Sequence, residues 1–156
     1  MKQSAGLLIY RWRGNKPEVF LIHPGGPYWK AKDLASWSIP KGEFEDPEDP
    51  LDAARREFKE ETGFDAKGPF HALRTIKQSN HKAVHAWAAE GDYDATKIQS
   101  NLFPLEWPPN SGKFQEFPEA DRAEWFSIDE ARKKVFKGQV PLLDELEILL
   151  AGTNQN

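Results

Sequence analysis

An α/β (α+β) domain is the fold class predicted by this sequence, on three observations. Runs rich in branched and aromatic residues come in pairs separated by turn-formers, as neighbouring strands do. Three segments read as helices, two of them with capping signals at their starts. The chain has 156 residues, of which 38% are hydrophobic and 29% charged. That is enough for one core on the polar side of globular composition, with no internal repeat, low-complexity run or second domain. Residues 1–156 are therefore expected to form a single domain.

The elements follow in order. "SAGLLIYRW" and "EVFLIHP" are strands joined by the turn-forming "RGNKPE". Gly25–Ser36, "GGPYWKAKDLAS", is a loop with aromatic and basic content, and "WSIPKG" is a short strand ending at Lys41-Gly42. A helix opens at Asp49-Pro50, since Asp is a good N-cap and proline is pre-organised for the first helical position. Gly63 closes it as a left-handed C-cap. "FHALRTIKQ" and "KAVHAWAAEG" form another strand pair. Gln99–Ala120 reads as a loop of about 20 residues, a length that is unusual unless functional. Its aromatics Phe103, Trp107, Phe114 and Phe117 argue against a disordered linker. "RAEWFS" is the last strand. "SIDEARKKVF" is a helix capped by Ser127 with Glu130 at its third position, and "VPLLDELEILLA" is the closing helix.

Composition excludes several function classes. The chain has no cysteine, which removes disulfides, thiolate zinc sites and cysteine nucleophiles together. The net charge of −4 argues against general nucleic-acid binding, but not against a small anionic ligand, because a bound cation inverts local charge. No apolar run approaches the roughly 18 residues of a membrane span. The start "MKQSAGLLIYRWRG" has too short an apolar run for a signal peptide. A cytoplasmic protein without membrane partners is expected, and the sequence leaves its oligomeric state open.

The helix after Asp49 poses the chemical question. Glu57, Glu60 and Glu61 stand at i, i+3 and i+4, where like charges repel. At about 100° per residue, Leu51, Ala54 and Phe58 form a core-facing stripe roughly 60° wide. The three glutamates span about 100° on the flank beside it, while Asp52, Arg55 and Lys59 face the other way. A solvated charged face is the ordinary reading of such a run. Carboxylates converging beside a core instead suit a hard cation, Mg²⁺ or its substitute Mn²⁺, which turns repulsion into shared coordination.

The surrounding residues carry a family resemblance. Gly42, Glu48, Arg56-Glu57, Phe58, Glu60-Glu61, Gly63 and Phe64 match the Nudix box, G-x(5)-E-x(7)-R-E-U-x-E-E-x-G-U with U aliphatic or aromatic, at every position. The preceding "PKG" and the closing "WFSIDEA" are also similar, so the resemblance spans most of the chain. It implies a Nudix-type α/β/α sandwich with a mixed β-sheet. It also implies Mg²⁺-dependent hydrolysis of a nucleoside diphosphate linked to another group, with a dinucleoside polyphosphate or nucleoside triphosphate as the substrate. The resemblance makes Glu57, Glu60 and Glu61 the metal ligands, with the Gly42 carbonyl nearby, and pairs Glu48 with Arg56 to brace loop against helix. It leaves the general base open between Glu57 or Glu60 of the box and Glu116 or Glu119 of the later loop. Glu119 lies six residues before Trp125, as in some dinucleoside polyphosphate hydrolases.

Substrate contacts outside the box are expected from Lys41 as a point charge on phosphate and from Tyr28, Trp29 and Trp37 as stacking surfaces for a base. Lys30 and Lys32 would add attraction for a polyphosphate. An ADP-ribose-type pyrophosphatase and a non-catalytic nucleotide-sensing domain are the alternative readings. The complete glutamate set weighs against the second.

Overall fold

The computed structural model describes residues 2–152. In chain order it has β1 (Lys2–Arg13), β2 (Lys16–Pro24), β3 (Lys41–Phe44), α1 (Pro50–Thr62), β4 (His71–Ala72), β5 (Ile76–Ser79) and β6 (Lys82–Glu90). Then come β7 (Leu102–Glu106), β8 (Phe114–Pro118), β9 (Ala120–Ser127), α2 (Ile128–Lys134) and α3 (Val140–Ala151). β1 makes the sheet mixed. It pairs antiparallel with β2 and β3 and parallel with β6, in the main order β4-β6-β1-β2-β9. The remaining neighbours, β2 with β9 and β6 with β4 and β5, are antiparallel.

Strand alternation separates two apolar cores. Ala5, Leu7 and Ile9 of β1, with Phe20 and Ile22 of β2, pack under α1 against Ala53, Ala54 and Phe58. Leu8, Tyr10, Val19 and Leu21 face the other way, onto Ile128, Leu142, Leu143 and Leu146 of α2 and α3. Helices thus cover both faces of the mixed sheet, the α/β/α layering expected from the sequence.

Three expectations are corrected. "WSIPKG" is not a strand ending at Lys41-Gly42. Trp37 and Ser38 make only isolated bridges, and β3 begins at Lys41. The backbone there is satisfied otherwise, since Ile39 N–H donates to the Gln139 side chain at 3.0 Å and the Pro40 carbonyl accepts from Leu7 N–H at 3.1 Å. "FHALRTIKQ" is two short strands, β4 and β5, both paired to β6. The long "loop" at 99–120 is largely a hairpin, with Phe103 opposite Phe117 and Leu105 opposite Gln115. Its prolines hid it, because proline is tolerated only on edges, and both strands of a two-stranded sheet are edges.

Candidate active site

α1 begins and ends where its local chemistry says it should. The Asp49 side chain accepts from Asp52 N–H at 3.1 Å, and Pro50 takes the first position. Gly63 lies at φ 83, a left-handed conformation that suits glycine, and its N–H reaches the Lys59 carbonyl at 2.7 Å. Phe58 and Ala54 anchor the helix on the sheet, with Phe58 edge-on to Phe20 at 6.2 Å. That anchoring draws Glu57 and Glu61 further in than a flank position, to 9% exposure each. Glu60 is left partly open, and Leu51 only borders the core.

Each glutamate is held differently. Glu61 Oε1 accepts from the Lys41 backbone N–H at 2.7 Å, tying α1 to β3. Glu57 packs directly on Gly42, where an added Cβ would stand 2.0 Å from its carboxyl carbon. Arg56 grips Glu48 with two hydrogen bonds, 2.8 and 3.0 Å, the loop-to-helix brace expected from the sequence. Its Nη1 also donates to Glu57 at 2.8 Å and to Glu60 at 3.2 Å.

Glu119 completes the acidic group from another part of the chain. It sits between β8 and β9, its N–H donating to the Asn101 carbonyl at 2.8 Å and its carbonyl accepting from Gly25 N–H at 3.0 Å. Burial, then the charge of Glu60, raises its carboxyl. Burial first raises Glu57 as well; the Arg56 hydrogen bond opposes this, and the charges of Glu60 and Glu119 add to it. Glu61 is pushed well above the ordinary carboxylate range by burial, then by Glu57, with Lys41 N–H opposing. Burial lowers the Lys41 ammonium. A cleft of about 430 Å³ gathers Glu57, Glu61 and Glu119 with Lys41, Trp29 and Phe103 along its walls.

The sequence-predicted residues divide accordingly. Glu57, Glu60, Glu61, Gly42, Glu48, Arg56 and Gly63 stand together around one helix. Lys41 and Trp29 reach the cleft, whereas Tyr28 lies on the surface, edge-on to Trp107 at 5.4 Å. Trp37 is no stacking surface. It is fully buried between His23 and Phe126, at 5.1 and 5.0 Å, and donates to Asp33 at 2.9 Å. Glu116 is not part of the cleft either. Alternation along β8 puts it opposite in face to Phe117, the partner of the cleft-lining Phe103, and it is exposed. In the sequence Phe103 stands only as a loop aromatic. The cue to its role is its pairing with Phe117, which depends on the hairpin.

Among the described residues, no three acidic or histidine side chains form a ready-made metal cage. Arg56 occupies Glu57 and Glu60 instead. The donor set still fits a hard divalent cation. It is all oxygen, burial and then the neighbouring carboxylates raise Glu57 and Glu61, and Glu57 rests where only glycine leaves room.

Residues 2–146 match the family described as NUDIX domain. The RNA pyrophosphohydrolase of Bartonella henselae is 28% identical over 150 residues, 82% of this chain and 77% of that protein. A C. elegans Ap4A hydrolase binary complex is 25% identical with a TM-score of 0.65, over 97% of this chain and 99% of that one. The E. coli ORF135 protein shares the fold at 22% identity and a TM-score of 0.61, over 100% of this chain and 96% of that one.

Proposed function

We propose that this chain, which belongs to the NUDIX domain family, is a Mg²⁺-dependent pyrophosphohydrolase cleaving a phosphoanhydride bond in a nucleoside diphosphate linked to another group. A dinucleoside polyphosphate is the leading substrate, with nucleoside triphosphates next. One observation carries the reading: Glu57, Glu61 and Glu119 meet Lys41 and two aromatic walls in one cleft.

Glu57, Glu60 and Glu61, with the Gly42 carbonyl, are the residues that would hold Mg²⁺ or Mn²⁺. When bound, such an ion neutralises charge on phosphate oxygens and acidifies a water. Lys41 meets a phosphate as a point charge. Glu119, whose carboxyl is raised by burial and then by the charge of Glu60, would take a proton from the attacking water, and Glu57 is the alternative base. Trp29 and Phe103 offer ring surfaces to a nucleobase. The absence of cysteine and the crowding of acids favour attack by water over a covalent intermediate.

A second reading, RNA 5′-end pyrophosphohydrolysis, is favoured by the Bartonella relative's name. The test is a Mg²⁺-dependent screen over dinucleoside polyphosphates, nucleoside triphosphates, 5′-triphosphorylated RNA, nucleotide sugars and ADP-ribose, with products identified. Turnover is expected first on a dinucleoside polyphosphate. Tight nucleotide binding without turnover of any substrate would sink the enzymatic reading and leave a sensor.

A further inference from the structure

We propose that the groove along the outer face of α1 is a second nucleoside site. It takes the far nucleoside of a dinucleoside polyphosphate whose near end occupies the cleft. The assignment rests on the hydrolase reading above and narrows it to a substrate with a nucleoside at each end.

The two cavities meet at the glutamates that would hold the metal. Glu57 and Glu61 line the cleft, whereas Glu60 lines the groove. Asn101, which also lines the groove, marks the boundary from the other side. Its N–H donates to the Glu60 carbonyl at 2.8 Å, and its carbonyl accepts from the N–H of Glu119, a cleft residue, at 2.8 Å. Glu60 is near enough to Glu119 for its charge to raise that carboxyl. A phosphate chain held at these glutamates therefore has one cavity on each side. The groove measures about 750 Å³ against about 430 Å³ for the cleft, within the roughly 300–1,000 Å³ of small-molecule sites.

The lining of the groove suits a nucleoside better than a phosphate. Its three cations, Arg55, Arg56 and Lys59, are matched by three acids, Asp52, Glu60 and Asp65. Arg56 is committed to Glu48, Glu57 and Glu60, and Lys59 to Asp65 at 3.0 Å. That balance leaves little field to draw in an anion. Arg55 instead lies over the Phe70 ring at 5.2 Å, and a guanidinium is a plane on which a base can stack. Gln99 and Asn101 bring exposed side-chain amides, each with a donor beside an acceptor, the pattern that reads a nucleobase edge. Asp52 and Asp65, both exposed, would accept from ribose hydroxyls.

The amides are held in place before any ligand arrives. Gln99 N–H donates to the Thr62 carbonyl at 2.9 Å, so the backbone of Gln99 and Asn101 is pinned to the last turn of α1. Fixing the site in advance lowers the ordering cost of binding. A nucleoside triphosphate has no second nucleoside to place there, so the groove selects for the longer substrate.

The experiment uses the intact protein with Mg²⁺ and two probes whose bridging anhydride oxygens are replaced by methylene groups. One is a dinucleoside tetraphosphate, the other the matching nucleoside triphosphate. NMR signals of cleft and groove are followed as each is titrated in. Both probes are expected to move the backbone amides of Gly42 and Phe103. Only the dinucleoside probe should move the side-chain amides of Gln99 and Asn101 and the Nε–H of Arg55. In turnover assays with the unmodified substrates, an Arg55→Ala, Gln99→Ala double variant should lower the kcat/KM ratio of dinucleoside tetraphosphate to triphosphate roughly tenfold, as the loss of one or two hydrogen bonds would. The Gln99 backbone bond to Thr62 is untouched by that change.

Cleft signals moved alike by both probes, with the groove signals unchanged, would overturn the second site even if the double variant failed to fold. A folded double variant with the substrate preference of wild type would overturn it as well. Cleft signals unmoved by either probe would refute the hydrolase reading itself, and the second site would fall with it.

Discussion

Gly42 and Glu57 compete for one small volume, which makes their pairing a sensitive test of the site. A Cβ on residue 42 would stand 2.0 Å from the Glu57 carboxyl carbon, so the carboxylate must swing away. Gly42→Ala is expected to stay folded, losing about 1–3 kcal/mol as overpacked sites do. Activity should fall by about 100-fold or more, the effect of a displacement near 1 Å in a reacting constellation. Activity within a fewfold of wild type would dissociate Glu57 from the metal. Glu61 gives the opposite sign for stability. Its folded pKa is raised above the ordinary carboxylate value, so between those two values the native state binds the extra proton. Stability of the metal-free protein therefore falls as pH rises through that window. Glu61→Gln keeps an acceptor for Lys41 N–H and removes that penalty. It should abolish metal-dependent turnover yet melt higher than wild type without metal, by a margin that grows as pH rises above the ordinary carboxylate value. A metal-free wild type that melts higher than the variant at pH 8 would refute the argument that burial, with the charge of Glu57, penalises the Glu61 carboxylate.

At the scale of elements, the hairpin decides which late glutamate reaches the cleft. β8 puts Glu116 on the face opposite Phe117, and the chain then turns Glu119 into the cleft. Glu119→Gln should lower kcat by about 100-fold or more if it is the base, while Glu116→Gln should leave kcat and KM near wild type. The reverse result would return the base to β8. This choice was not legible in the sequence, where both residues sit in one proline-rich stretch whose pairing depends on Phe103 and Phe117 meeting across the turn. α1 was legible to the residue, because Asp49, Pro50 and Gly63 act on their own backbone within a turn or so. "WSIPKG" lies between these cases. Its composition suits a strand, but the N–H of Ile39 goes to Gln139, a side chain 100 residues away.

At the scale of the molecule, the sheet couples the site to the core. Phe20 of β2 touches Trp125, Phe58, Phe64 and Tyr93 with ring centroids 5.2–6.4 Å apart. It thereby joins β9, which follows Glu119, to α1, which carries the box glutamates. Phe20→Ala should cost about 3–5 kcal/mol and lower the melting temperature. In the fraction still folded, activity should fall as well, since α1 loses the ring that Phe58 rests on. A large loss of stability with unchanged specific activity would mean that α1 keeps its place without that cluster.

The helix limits, the spacing of Glu57, Glu60 and Glu61, and the brace of Glu48 on Arg56 follow from local order along the chain. Capping, helical periodicity and motif spacing act over a few residues, so they survive translation into one dimension. The tertiary structure alone buried Glu57 and Glu61, sent Trp37 to the core, brought Glu119 rather than Glu116 to the cleft and set His23 between Asp121 and the Lys32 carbonyl. Those outcomes depend on pairs far apart in the chain, Lys41 with Glu61 at 20 residues and His23 with Asp121 at 98. Contacts of that kind exist only after strand register and layer packing have brought their partners together.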